Sequence, residues 1–260
     1  NAPSPGAGWV AGDNVPVGAT VTCTVGGTPT AVGGSQVAGT TGATYDSNTA
    51  NNTATRAINT TAPDMAISLA GLPTTAAVGV AYNGSFSCSN VGGAAAIADT
   101  QCGVTGLPAG VAVVACTISP TSAGWSAGGS VPAGEAVTCT VYGTPTAPGS
   151  STVAGTTGAT NDSNPANNST TRTINTTAPD MAISLAGLPA TASVGVPYAG
   201  SFSCTNSGGA DAASGAACGV TGLPADVTVG PCTISPACST WSAGSNVPAG
   251  GTVSCPVSGT

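Results

Sequence analysis

The chain has 260 residues, only 4% of them charged, with no Lys, no His, two Arg, nine Asp or Glu and a formal net charge of −7. Catalysis by Ser-His, Cys-His or Lys arrangements is excluded for want of a base. An acidic chain without basic clusters is a poor ligand for nucleic acid or anionic membrane, and no apolar run reaches the roughly 18 residues of a bilayer span.

A fixed period organises what remains. Trp9, Trp125 and Trp241 lie 116 residues apart, and Ile-Asn-Thr-Thr-Ala-Pro-Asp-Met-Ala-Ile-Ser-Leu-Ala-Gly-Leu-Pro occurs identically at 58–73 and 174–189. Such a period marks a tandem array. It divides the chain into 1–61, the C-terminal half of a repeat; 62–177, a complete repeat of ordinary domain size; and 178–260, the N-terminal part of a third. With 41% hydrophobic residues the chain is expected to fold, since disordered chains combine low hydrophobicity with high net charge.

Along the complete repeat, helical periodicity is nearly absent and Gly and Pro interrupt at short intervals. Alternation predicts seven strands, near 64–70, 80–89, 97–105, 111–118, 135–143, 150–159 and 168–176. Tyr82, Phe86 and Cys88 share one face of the second, Val114, Cys116 and Ile118 one face of the fourth, and Val137, Cys139 and Val141 one face of the fifth. Trp125 reads as a packing residue near a strand start. The fold class predicted is all-β: tandem Ig-like antiparallel β-sandwich modules, with a closed barrel as the alternative.

Ten cysteines indicate an oxidising compartment. Cys88, Cys102, Cys116 and Cys139 recur as Cys204, Cys218, Cys232 and Cys255. Spacings of 13, 13 and 22 intervening residues, with no His, suit disulfides better than zinc. Cys102 with Cys116 and Cys88 with Cys139 is the pairing suggested by symmetry about the Leu-Pro-Ala-Gly turn; Cys88 with Cys102 and Cys116 with Cys139 stays open beside it. Cys23 lacks the repeat partner that would fall one position before Asn1, and Cys238 stands where the repeat has Ser122. Both are candidates for a link between modules or chains.

The succession Pro-Asp-x-x-Ile (63–67), Val-Gly-x-x-Tyr (78–82), Asn-x-Gly-Gly-Ala (90–94), Gly-Leu-Pro-Ala-Gly-Val (106–111), Ala-Gly-Glu-x-Val-Thr-Cys-Thr-Val (133–141) and Asn-Asp-Ser-Asn-Pro-Ala-Asn-Asn (161–168) resembles the bacterial conserved-repeat Ig-like domain. That family occurs in tandem in long secreted or cell-surface proteins. The resemblance implies an extracellular or surface location and a spacer, stalk or adhesive role rather than a reaction.

Candidate chemistry is sparse. Asp46 and Asn48, and their equivalents Asp162 and Asn164, offer oxygen ligands to Ca²⁺, but one carboxylate per loop is thin for a cation that wants six to eight oxygens. A turn, in which Asn and Asp bond their own backbone, is the preferred reading. No cofactor and no enzymatic activity is expected. The function expected is that of a structural extracellular stalk or filament. Its partner is the chain itself, through neighbouring repeats or strand complementation, and no nucleic acid or membrane insertion is involved. An adhesin binding a glycan or host protein through its loops is the alternative. The out-of-phase ends read as a window on a longer array, or as ends completed by strand addition from a neighbouring chain.

Overall fold

A computed structural model describes residues 8–97 and 99–260. The chain separates into two compact units, 1–61 and 62–260.

In the first unit, β1 (Gly33–Thr40) and β2 (Thr53–Thr60) form an antiparallel hairpin in which Gly33 faces Thr60 and Thr40 faces Thr53. Its connection holds a single 3₁₀ turn at Thr49–Asn51. The β-branched residues suit strands, yet every residue of β1 is exposed, and so is every residue of β2 except Thr60.

The second unit begins with the complete repeat. Its strands are β3 (Met65–Ser68), β4 (Thr75–Ala77), β5 (Tyr82–Asn90), β6 (Gln101–Thr105), β7 (Val111–Ile118), β8 (Ala123–Gly124), β9 (Ala136–Gly143), β10 (Gly149–Gly158) and β11 (Ser169–Thr177). One sheet runs β3-β5-β9-β7-β8 and the other β4-β11-β10-β6. Pairing is antiparallel except for β4 on β11, which is parallel. The chain thus crosses between the sheets repeatedly, with β3, β5 and β7 to β9 in one and β4, β6, β10 and β11 in the other. This is an Ig-like sandwich. Two separate sheets replace the closed barrel.

Alternation places the core. Val137, Cys139 and Val141 of β9 are buried, while Thr138, Thr140 and Tyr142 between them are exposed. Phe86 and Cys88 of β5, Val153 of β10 and Ile174 of β11 join them from both sheets, together with Met65 and Leu72. Trp125 is half-buried against this cluster, just after β8. Nine strands stand where seven were expected: β4 and β8, of three and two residues, are too short for alternation to register. The strand expected from 97 starts at Gln101. Before it the chain turns, with Asp99 at φ 53° and a single bridge from Ala96 to Val131.

Residues 178–260 form β12 (Met181–Ser184), β13 (Tyr198–Asn206), β14 (Val227–Val229), β15 (Cys232–Ser235), β16 (Ser239–Trp241) and β17 (Thr252–Gly259). They make one sheet, β12-β13-β17-β15-β16, with β14 also on β17. It is the β3-β5-β9-β7-β8 sheet over again. Phe202, Ile234, Trp241, Val247, Val253 and Val257 are buried on it.

Candidate functional site

The polar groups that converge in this fold are those that hold each module together. They centre on Asn90, the last residue of β5, whose side chain is wholly buried. Its Oδ1 accepts from the backbone N–H of Asp64 and Gly92, at 3.1 Å each. Its Nδ2 donates to the carbonyls of Ala94 at 2.8 Å and Val131 at 2.9 Å. An amide can make four such bonds, and all four are made. Asn206 repeats the set with Asp180, Gly208, Ala210 and Val247. Gly92 is required beside it: a Cβ there would run into the backbone of Ala62, Pro63 and Asp64. The Asn-x-Gly-Gly motif is therefore a plug that seats the start of each module.

A second clamp reaches the same segment from the opposite sheet. In the loop between β10 and β11, Ser163 donates to the Pro63 carbonyl from both its backbone N–H and its Oγ. Asp162 Oδ2 accepts from the Met65 N–H at 3.2 Å, and Asn167 Nδ2 donates to Asp64 Oδ1 at 2.8 Å. The candidate calcium ligands find their place here. Asp162 Oδ1 accepts from the Asn164 N–H; Asp46 Oδ1 accepts from Asn48, and Asn48 Oδ1 from Ala50. These are Asx turns, with oxygens directed at backbone N–H groups. The Asn48 N–H, then the Asn52 side chain, hold the Asp46 carboxyl below its ordinary pKa. Among the described residues, no three His, Cys, Asp or Glu side chains converge as a metal site would require.

The disulfides are Cys88–Cys102 and Cys116–Cys139, repeated as Cys204–Cys218 and Cys232–Cys255. The pairing of Cys102 with Cys116 and Cys88 with Cys139 is corrected. Symmetry about Leu-Pro-Ala-Gly presumes a hairpin, whereas β6 and β7 belong to different sheets and the turn is a crossover. Cys116 faces Cys139 directly in the β7–β9 register. Cys88 reaches across the core to Cys102, so one bridge ties the two sheets and the other staples one of them. Cys23 and Cys238 are free and exposed, Cys238 at a φ of 50° in the turn before β16.

Burial also marks Tyr82. Its hydroxyl donates to the Pro73 carbonyl at 2.9 Å, and desolvation pushes its pKa up, against the opposing pull of the Arg172 charge. In the sequence Asn90 stands out only as the first residue of the Asn-x-Gly-Gly-Ala motif, and its hydrogen-bonding role is visible only in the fold.

No protein-family model matches the chain. No curated protein matches it either. Among solved structures it is similar to the CARDB domain of a Pyrococcus furiosus protein in complex with di-metal ions, at 19% identity and TM-score 0.32, over 44% of this chain and 88% of that one. Domains 1–6 of the surface layer protein SbsC align at 13% identity and TM-score 0.28, over 86% of this chain and 25% of that one. The secreted serine protease VesC from Vibrio cholerae aligns at 13% and 0.26, over 74% and 46%. At that distance none carries functional weight, and the Ig-like fold rests on the sheet order given above. The four disulfides point to a compartment outside the reducing cytoplasm.

Proposed function

We propose that the chain is a run of structural modules from an extracellular stalk or filament, of the bacterial conserved-repeat Ig-like kind. The observation that carries this reading is the recurrence of one internal device: successive repeats share the buried Asn90/Asn206 plug and bridges of identical separation, 14 and 23 residues. A device repeated unchanged serves reach and stiffness, for which every module must be alike, rather than recognition, for which one loop must differ. Thr and Ser on the outward faces, with almost no charge, permit lateral packing that salt hardly affects. Antibody raised against residues 62–177 should decorate surface stalks or filaments of the source cells in electron micrographs, at a regular axial interval. Label confined to the cell interior, or to dispersed soluble protein, would sink the proposal.

A further inference from the structure

Where copies of one module keep the same core, a surface residue that changes from copy to copy is not there for the fold. The inward residues of β5 and β9 recur unchanged on β13 and β17: Phe86 as Phe202, Val137 as Val253, Val141 as Val257. The outward face departs from this at one spot. Tyr142 of β9 is 50% exposed, and its equivalents are Gly26 and Ser258. Its cross-strand neighbour on β5 is Asn83, also exposed, whose equivalent is Ala199. On β7, next to β9, the irregularity between Val113 and Ala115 leaves Val114 63% exposed, where the following copy has Gly230. Ala199 faces Ser258 in the same register that Asn83 and Tyr142 share, so strand pairing needs neither the amide nor the phenol. Among the described residues, neither the Asn83 amide nor the Tyr142 hydroxyl makes a hydrogen bond. Asn83 also lines a groove of about 570 Å³ that includes Pro73, Thr75, Val80 and Thr177 and reaches Gly209 of the following repeat. No charged residue lines it. Its volume falls within the roughly 300–1,000 Å³ of small-molecule sites.

We propose that Tyr142, Asn83 and the adjoining groove form a binding site for a neutral saccharide chain, particular to the complete repeat. The chemistry of the walls selects that ligand. An uncharged lining offers no counter-charge to a phosphate, a carboxylate or a cationic peptide, each of which would give up its hydration for nothing in return. A wholly apolar ligand would strip water from the Asn83 amide and the Thr75 hydroxyl without replacing its hydrogen bonds. A sugar ring meets both demands. Its C–H face packs flat against the exposed phenol ring, and its hydroxyls exchange hydrogen bonds with an amide that donates and accepts at once. Val114 widens the apolar platform beside Tyr142, and the groove takes the sugar units that follow. The stalk reading concerns what the copies share, and this site concerns what they do not, so the two stand or fall separately.

Calorimetric titration of the 260-residue chain with cellohexaose, N-acetylchitohexaose and maltohexaose tests this, with an oligogalacturonate as the charged comparison. At least one of the neutral oligosaccharides is expected to bind, with an affinity that stays the same as salt is raised, since no ion pair is there to screen. Tyr142→Ser and Asn83→Ala install the residues that the following copy carries at those places, so both variants should melt where the unsubstituted chain does. Each is expected to weaken binding about tenfold, the loss of one stacking or hydrogen-bonding contact. Three results overturn the proposal: no heat from any neutral oligosaccharide, binding of the charged one alone, or binding that both variants retain in full.

Discussion

Asn90 makes the case that a single polar residue can specify a module. Buried amides are expensive unless satisfied, and this one uses all its hydrogen-bonding capacity on four backbone groups from three segments. Asn90→Ala strands two N–H groups and two carbonyls, so a loss of about 3 kcal/mol is expected in denaturant unfolding; a loss of a few tenths, as for a surface site, would refute the plug. Tyr82 gives a pH signature. Its folded pKa lies above the unfolded value of about 10. The stabilisation is therefore whole below that pH and disappears as pH rises through the folded value. Tyr82→Phe should flatten this alkaline limb in melting curves taken at increasing pH. An unchanged limb would mean the phenol plays no part.

At the scale of the element, the loop between β10 and β11 latches the start of the module through Asp162, Ser163 and Asn167. Asp162→Ala removes charge-assisted bonds to Met65 and Asn164 and should destabilise the module by about 2 kcal/mol. Calcium addition or chelation should leave the melting temperature of the unsubstituted protein where it was; a rise of several degrees on adding calcium would restore the metal reading. The same loop illustrates what the sequence made legible. Strands such as β5 and β9 announce themselves because one face is wet and the other dry over eight or nine residues. Sheet membership does not, because it depends on which distant strand each one pairs with. Hence the Cys102–Cys116 expectation failed, and β4, whose three residues pair only with β11 some 100 positions later, was invisible. Asp162 was singled out for its chemistry, but its partner Met65 lies 97 residues away and no local pattern could name it.

For the molecule as a whole, the period of 116 residues was the most informative feature of the sequence, since it predicts that whatever is solved once is solved again. The plug and the bridges recur in the two copies, with equal loop separations. Those closed loops have a consequence under tension. A module pulled apart between Ala62 and Thr177 cannot release the chain between Cys88 and Cys102 or between Cys116 and Cys139. In single-molecule stretching, each complete module should therefore lengthen by about 120 Å less when oxidised than after reduction, at roughly 3.5 Å per residue. Equal increments in the two states would show that the bridges do not bear load. Where they do, the cysteines set how far a tether can give way before it must break.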